Sequence, residues 1–72
     1  MKRIRLGVLS HAHGHINTYC GVLQGQEDVD LVASWDDNTD RGQRAAEQFG
    51  LQFRDRIEAV LEDEEIDAVM IG

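Results

Sequence analysis

The sequence predicts an α/β fold built on a parallel sheet, because strand-like and helix-like segments alternate three times along its 72 residues. A second observation is the order of the first segments: an apolar strand ends at Ser10, a turn and a helix follow, and another apolar strand ends at Asp36. A strand, turn, helix and strand followed by a carboxylate are typical of a dinucleotide-binding βαβ unit. We therefore expect a Rossmann-type doubly wound parallel sheet with the order β-α-β-α-β-α-β.

Hydrophobic runs and periodicity place the individual elements. Strands are expected over residues 3–9, 29–35, 51–53 and 66–71. The first helix, over residues 14–25, is indicated by apolar residues at i, i+3, i+4 and i+7. These residues are Ile16, Tyr19, Cys20 and Leu23. Gly25 is expected to end this helix.

Two further helices follow from capping residues and shorter apolar faces. The second is expected over residues 40–49, with Asn38 or Thr39 as its N-cap and Gly50 after its end. Asp55 is the expected N-cap of the third helix, whose apolar positions are Ile57, Val60 and Leu61. The acidic run over residues 62–65 should lie past that helix in solvent, because acids oppose the helix dipole at a C-terminus.

The length of the chain indicates that it is part of a larger domain. A chain of 72 residues buries only about 60% of its unfolded surface, and the strand expected over residues 66–71 has nothing after it to cover it. We therefore expect residues 1–72 to be an incomplete N-terminal dinucleotide-binding domain, with a substrate domain beyond residue 72.

Composition disfavours several other classes of protein. Fourteen acidic residues against seven basic ones give a formal charge of -7, which repels nucleic acid and anionic membranes. The basic N-terminus is followed by no apolar signal-peptide region, and no 18-residue apolar span exists, so a cytoplasmic location is expected. The single cysteine, Cys20, excludes an internal disulfide.

The turn from Ser10 to His15, which we call the phosphate turn, lacks the glycines usual in dinucleotide-binding proteins. Its three small-residue positions hold Ser10, Ala12 and His15. Serine and alanine are small enough for the bend and the approach of a diphosphate, although a positive φ is expected to be lost. His15 must either point outward or push the helix away from the sheet, and Gly14 is expected to supply the conformational freedom. Helix N–H groups favour an anion here; the alternative is an ordinary solvated turn.

Three alternating histidines, His11, His13 and His15, raise the hypothesis of a metal site together with Cys20. A helix that begins at Gly14 should make the rings of His13 and His15 diverge and should bury Cys20, so no metal ligands are assigned. Instead His13 or His15, as a neutral donor, is expected to contact the cofactor diphosphate or the substrate, or else to face solvent. The predicted cofactor-binding residues of the turn are Ser10, His11, Ala12, His13, Gly14 and His15.

Two acids, Asp36 and Asp37, follow the second strand. Asp36 is predicted to accept hydrogen bonds from the adenosine ribose 2' and 3' hydroxyls, and both acids would repel a 2'-phosphate, which favours NAD over NADP. The nearby base, Arg41, is expected to pair with Asp37 or Asp40. The alternative for the acid pair is an Asx-type helix entry.

The chain resembles the N-terminal part of the Gfo/Idh/MocA oxidoreductases, the group that is named for glucose-fructose oxidoreductase and inositol dehydrogenase. The resemblance lies in residues 3–9, 29–36 and 66–71, with Arg41, Ala45, Phe49 and Gly50. It implies a Rossmann domain, a second α/β domain that holds the substrate and much of an oligomer interface, and hydride transfer between NAD(P) and a sugar, cyclitol or related polyol. The serine and histidines of the phosphate turn resemble a minor branch of the family.

The resemblance also implies which residues carry each role. The pyrophosphate turn falls on residues 10–15 and the ribose acid on Asp36. The family's catalytic lysine, in a Glu-Lys-Pro motif, and its later histidine or aspartate fall beyond residue 72, so no catalytic residue is assigned in this chain. Two alternatives stay open: a non-enzymatic Rossmann-like module that senses a nucleotide or acts through protein contacts, and a metal-dependent enzyme that uses the histidines.

Overall fold

A computed structural model describes residues 3–72 of the chain. Its strands are β1 (Ile4–Leu9), β2 (Val29–Trp35), β3 (Gln52–Phe53) and β4 (Ala68–Ile71). All neighbouring strands are parallel, and they lie in the order β3-β2-β1-β4. The expected parallel α/β sheet is therefore confirmed. β2 and β3 lie on one side of β1, and the chain then crosses over so that β4 lies on the other side. This order places β1 in the middle, next to both β2 and β4.

The last strand starts two residues later than the expected 66–71. The N–H of Ile66 donates to the carbonyl of Asp63 at 3.1 Å, so the chain is still turning there. The N–H of Asp67 then donates to the carbonyl of Arg5 at 2.8 Å, which brings the chain to the sheet before β4 begins. The boundary is thus set by the turn that follows the acidic loop.

Three helices connect the strands: α1 (Gly14–Gln24), α2 (Thr39–Phe49) and α3 (Glu58–Leu61). The side chain of Asn38 accepts the N–H of Arg41 at 3.0 Å and caps α2, and Gly50 ends α2 with a φ of 70°. The predicted end at Gly50 is confirmed, and of the two predicted N-cap residues the structure selects Asn38 rather than Thr39. The prediction that Asp55 caps α3 is wrong, because Ile57 stands at that position and no side chain caps the helix. No helix in the described part of the chain has the length and apolar character needed to cross a bilayer.

The core lies between the sheet and the first two helices. Its buried members are Val8, Ile16, Cys20, Ala45, Ala46, Phe49 and Leu51. Ile16 and Cys20 confirm the expected stripe on α1, but Tyr19 is 52% exposed and its assignment to that stripe is wrong. On a helix of 3.6 residues per turn, Tyr19 lies at the margin of the face centred between Ile16, Cys20 and Leu23, so it leaves the contact with the sheet.

Gly42 allows α2 to approach the sheet closely. A Cβ atom at this position would lie 2.5 Å from Cε1 of Phe53 and 2.8 Å from Cβ of Asp36. Real side chains do not tolerate such distances, so any larger residue must push α2 away from the ends of β2 and β3. The glycine therefore helps to fix the position of α2 beside the acid that follows β2.

We expect Gly42→Ala to lower the free energy of unfolding by about 1–3 kcal/mol, because the added methyl group overpacks the contact with Phe53 and Asp36. Gly21→Ala is the matched control: it also lies inside a helix, but nothing is within 4 Å of its Cβ position. The control should be as stable as the parent or up to about 1 kcal/mol more stable. Urea unfolding, followed by circular dichroism on the longest form of the protein that folds, measures both. Equal midpoints for the two variants would contradict the packing argument.

Candidate functional site

The carboxyl ends of three parallel strands meet at one edge of the sheet. The N–H of Ser10 donates to the carbonyl of Trp35 at 2.7 Å, and the N–H of Gly72 donates to the carbonyl of Leu9 at 2.9 Å. These bonds hold the phosphate turn beside the ends of both β2 and β4. In open α/β sheets, ligands bind outside the carboxyl ends of the strands, at the point where the strand order reverses. The phosphate turn stands at that point.

Ser10 provides the sharp bend at the start of the turn. Its φ is 75°, in the left-handed region that glycine normally occupies. The expectation that a positive φ is lost here is therefore wrong, and Gly14 does not supply one, since Gly50 is the positive-φ glycine among residues 3–72. The Oγ atom of Ser10 accepts the N–H of Ala12 at 3.2 Å, which stabilises the bent backbone.

His13 and His15 lie on the exposed side of the turn. Nδ1 of His13 accepts the N–H of His15 at 3.3 Å, so His13 is the N-cap of α1. The centroids of the two rings are 4.5 Å apart at a tilt of 57°, so the expectation that the rings diverge is wrong. His15 points outward, toward Tyr19 at 6.4 Å between ring centroids, and so does not separate the helix from the sheet.

His11 differs from the other two histidines because it is buried, with 3% of its surface exposed. Its Nδ1 lies 3.0 Å from Oδ1 of Asn17 on α1, and its Nε2 has no hydrogen-bond partner within residues 3–72. Asn17 was missed by the sequence reasoning, and no periodicity or motif in the sequence signals it. The contact fixes the turn against the first part of α1.

The histidines and Cys20 do not come together. Cys20 is fully buried in the core, and burial raises the pKa of its thiol. In the described range, 3–72, no three residues among the His, Cys, Asp and Glu side chains are grouped so that they could hold a metal ion.

Free backbone donors remain at the start of α1. The N–H groups of His13 and Gly14 find no acceptor among residues 3–72. The first turn of α1 also contains no acidic residue. Unpaired N–H groups at the positive end of a helix dipole attract anions, so this end of α1 has the properties that a phosphate requires.

Asp36 lies at the centre of the site, with 3% of its surface exposed. Its Oδ2 accepts the N–H of His11 at 2.8 Å and Nε of Arg41 at 2.9 Å. Its Oδ1 accepts the N–H of Asn38 at 2.9 Å and Nη2 of Arg41 at 2.6 Å. The bond to Asn38 is the Asx-type helix entry considered above as the alternative role of this acid. The carboxylate therefore joins the phosphate turn to the start of α2.

The charges around Asp36 determine its protonation. Burial acts to raise the pKa of the Asp36 carboxyl, but the hydrogen bonds from Arg41, Asn38 and His11 outweigh it and hold that pKa well below its usual range. Arg41 also donates to Oδ1 of Asp37 at 2.9 Å, as predicted, whereas Asp37 itself is 73% exposed at its side chain. The site thus consists of one buried acid, one exposed acid and the guanidinium that bonds to both.

Comparison with known protein families agrees with this geometry. Residues 10–72 match the family model of an oxidoreductase family with an NAD-binding Rossmann fold. The chain belongs to the Gfo/Idh/MocA oxidoreductase family. The prediction of family and fold is confirmed, and the cofactor is a nicotinamide dinucleotide. No curated protein matches the chain.

Solved structures support the same family. A putative myo-inositol dehydrogenase from Sinorhizobium meliloti 1021 is 28% identical with a TM-score of 0.84, over 96% of this chain and 20% of that one. KijD10, a 3-ketoreductase from Actinomadura kijaniata solved with NADP and TDP-benzene, is 28% identical with a TM-score of 0.83, over 94% and 21%. GenD2 of gentamicin A biosynthesis, solved with NAD, shares the fold at 21% identity and a TM-score of 0.88, over 100% and 20%. The chain spans about a fifth of the length of these proteins.

The left-handed conformation of Ser10 gives a prediction about stability. Ser10→Gly and Ser10→Ala both remove the Oγ bond to Ala12, but only alanine keeps a Cβ in the left-handed region. We expect the glycine variant to be more stable than the alanine variant by about 1–2 kcal/mol. Thermal unfolding of the two variants side by side measures this difference. A more stable alanine variant would show that Ser10 does not hold a positive φ.

The pairing of Asp36 gives a prediction about acid stability. Because the folded pKa of Asp36 is lowered, its contribution is complete above the unfolded value of about 3.9 and is lost as the pH falls below that toward the folded pKa. Arg41→Ala removes the largest opposing hydrogen bond, raises the folded pKa of Asp36 and reduces stability at neutral pH. We expect the acid unfolding midpoint of this variant to move to higher pH.

The control for this experiment is Arg44→Ala, which removes an exposed arginine of the same helix whose bond goes to the backbone carbonyl of Asp40. Urea midpoints between about pH 2 and pH 7 compare the two variants. An identical acid profile for both would mean that Arg41 does not hold the charge of Asp36.

Proposed function

We propose that this chain is the cofactor-binding domain of an NAD-dependent dehydrogenase that transfers a hydride between NAD and a sugar, cyclitol or related polyol. The observation that carries the proposal is the set of free N–H groups at the start of α1, next to two acids at the end of β2. The family match supports hydride transfer. The names of two similar structures, an inositol dehydrogenase and a 3-ketoreductase, support a substrate of this class.

The proposal extends to the organisation of the protein. We propose that residues 1–72 form the N-terminal part of the dinucleotide-binding domain and that a substrate domain follows residue 72. The share of about a fifth that the chain spans in its structural neighbours supports this organisation. A small carbohydrate-like molecule is then the substrate, a homo-oligomer is the proposed assembly, and the cytoplasm is the proposed location.

Each side of the site has a proposed role toward the dinucleotide. The phosphate turn, Ser10 to His15, binds the diphosphate through the free N–H groups of His13 and Gly14, while Ser10 keeps the backbone bent. Asp36 and Asp37 lie at the adenosine ribose end, because β2 runs beside the turn. The nicotinamide of the bound cofactor supplies the hydride chemistry, and the residues of this chain bind and orient the dinucleotide.

The same charges favour NAD over NADP. A 2'-phosphate at the end of β2 would meet two carboxylates, and the guanidinium of Arg41 already donates to both of them. Repulsion of the 2'-phosphate by the two acids therefore outweighs its attraction to Arg41, and NADP binds less tightly than NAD.

Calorimetric titration with NAD and then with NADP tests the proposal, with a chelator present to exclude metal binding by the histidines. Saturable binding of NAD, tighter than that of NADP, is the expected result. The longest form of the protein that folds is the material to use. A folded protein that binds neither cofactor would overturn the proposal and would favour the non-enzymatic module.

A substitution that adds a negative charge at the start of α1 makes the test specific to the phosphate turn. Nothing lies within 4 Å of the Cβ position of Gly14, so Gly14→Asp fits the fold and is favoured by the helix dipole. Its carboxylate would lie where the diphosphate binds and would repel it. We therefore expect the dissociation constant for NAD to rise at least about tenfold, which is a loss of about 1.4 kcal/mol of binding free energy. Gly21→Asp, which has equally open surroundings further along α1, adds the same charge and should leave binding unchanged. Equal effects of the two variants would remove the turn from the site.

A further inference from the structure

The first turn of α1 packs closely against the sheet, although the phosphate turn has no glycine at the position that normally allows this. In a dinucleotide-binding turn, the third small residue is the one that lets the helix approach the strands. His15 holds that position here and points outward. Ile16, the next residue, packs into the core and is only 4% exposed. The space for Ile16 must therefore come from another part of the chain.

Gly72, which directly follows β4, provides that space. Its N–H donates to the carbonyl of Leu9 at 2.9 Å, so its backbone lies beside the end of β1. A Cβ atom on Gly72 would lie 2.5 Å from Cγ1 and 3.3 Å from Cδ1 of Ile16. Carbon atoms in contact are normally about 3.5–4.0 Å apart. Any side chain at residue 72 must therefore displace the first turn of α1.

The missing side chain of Gly72 also leaves room for the phosphate turn itself. The Cβ position of Gly72 is 2.6 Å from the carbonyl oxygen of Ser10. That oxygen belongs to the peptide group between Ser10 and His11, and the N–H of the same group donates to Oδ2 of Asp36 at 2.8 Å. One peptide group thus contacts Gly72 on one side and Asp36 on the other. Since Ser10 already has a φ of 75°, this backbone has little freedom to rotate away.

Both contacts of Gly72 lead to the free donors at the start of α1. The N–H of Ile16 donates to the carbonyl of His13 at 3.0 Å, which connects Ile16 to the phosphate turn. The unpaired N–H groups of His13 and Gly14 lie in the short segment between Ser10 and Ile16. Binding groups are effective only when the surrounding structure holds them in place. A shift of Ser10 or Ile16 therefore moves the donors that face an anion.

We propose that Gly72 is a positioning residue for the cofactor diphosphate, and that it fulfils from the end of β4 the role of the third glycine that the phosphate turn lacks. This inference rests on the proposed function, because the diphosphate is the group that the donors of His13 and Gly14 are proposed to bind. Gly72 acts through Ser10 and Ile16. A methyl group at residue 72 shifts the donors and weakens the binding of the dinucleotide.

The substitution Gly72→Ala tests the proposal with the smallest possible side chain. Calorimetric titration with NAD, on the longest form of the protein that folds, gives the dissociation constant. We expect this constant to rise at least about tenfold, because the added methyl group moves the donors of the phosphate turn out of place. A dissociation constant equal to that of the parent protein would overturn the proposal.

Gly7→Ala is the matched control for a loss of stability alone. Its Cβ position lies 2.6 Å from Cγ1 of Val60, which is 1% exposed, so the substitution overpacks the sheet against α3. The atoms nearest to this position belong to Val60 and Ile66, and none belongs to the phosphate turn. We expect a lower urea midpoint, as for Gly72→Ala, but the parent dissociation constant for NAD. An equal rise of that constant in both variants would show that Gly72 acts only through stability.

A second pair of variants covers the case in which Gly72→Ala does not fold. Ile16→Ala removes Cγ1 and Cδ1 and leaves space for a methyl group at residue 72. In the double variant that combines Ile16→Ala with Gly72→Ala, the contact with the carbonyl of Ser10 remains. We expect this double variant to bind NAD several-fold more weakly than Ile16→Ala alone. Equal dissociation constants for the two would contradict the role of Gly72.

The outcomes separate this proposal from the proposed function. Failure of the parent protein to bind either cofactor would contradict the proposed function. Binding of NAD by the parent, with an unchanged dissociation constant in Gly72→Ala, would contradict only the role of Gly72. A circular dichroism spectrum identical to that of the parent confirms that each variant is folded before it is titrated.

Discussion

The buried carboxylate of Asp36 is the interaction on which the rest of the site depends. It accepts hydrogen bonds from the backbone of the phosphate turn, from the backbone before α2 and from a side chain on α2. A charged group without exposed surface is stable only when it is paired and fully hydrogen-bonded. These bonds therefore fix the turn after β1 and the helix after β2 in one arrangement. Gly42 is part of the same constraint, because its missing side chain leaves room for Cβ of Asp36.

The phosphate turn shows how a Rossmann-type site is built without its usual glycines. Ser10 accepts the left-handed conformation and offsets part of its cost with the bond from Ala12. His13 caps α1 with its ring, which leaves the N–H groups of His13 and Gly14 free to meet an anion. Ser10 therefore takes the conformation of a glycine, while His13 stabilises the turn as the helix cap and His11 does so from a buried position beside Asn17.

The electrostatics of the site distinguish its two halves. The start of α1 attracts negative charge through free N–H groups and the helix dipole, whereas the end of β2 has one net negative charge from two acids and Arg41. The adenosine half of a dinucleotide, with the diphosphate on one side and an uncharged ribose on the other, suits this arrangement. Membership of the Gfo/Idh/MocA family gives the chemistry that such a cofactor supports, and the local charges bear on which cofactor is chosen.

The sequence by itself determined the fold class, the element order, the end of α2 at Gly50 and the family, and it limited the N-cap of α2 to Asn38 or Thr39, because alternating apolar runs and capping residues act over short distances along the chain. Only the tertiary structure decided the positive φ of Ser10, the contact of His11 with Asn17 and the exposure of Tyr19. It also showed that Arg41 bonds to Asp36 as well as to Asp37. Each of these depends on where residues far apart in the sequence, or on different elements, come to lie relative to the sheet. Periodicity and spacing along the sequence carry no information about that placement. The hydrogen-bond partners of a buried carboxylate such as Asp36 are fixed only when the strands and helices pack together.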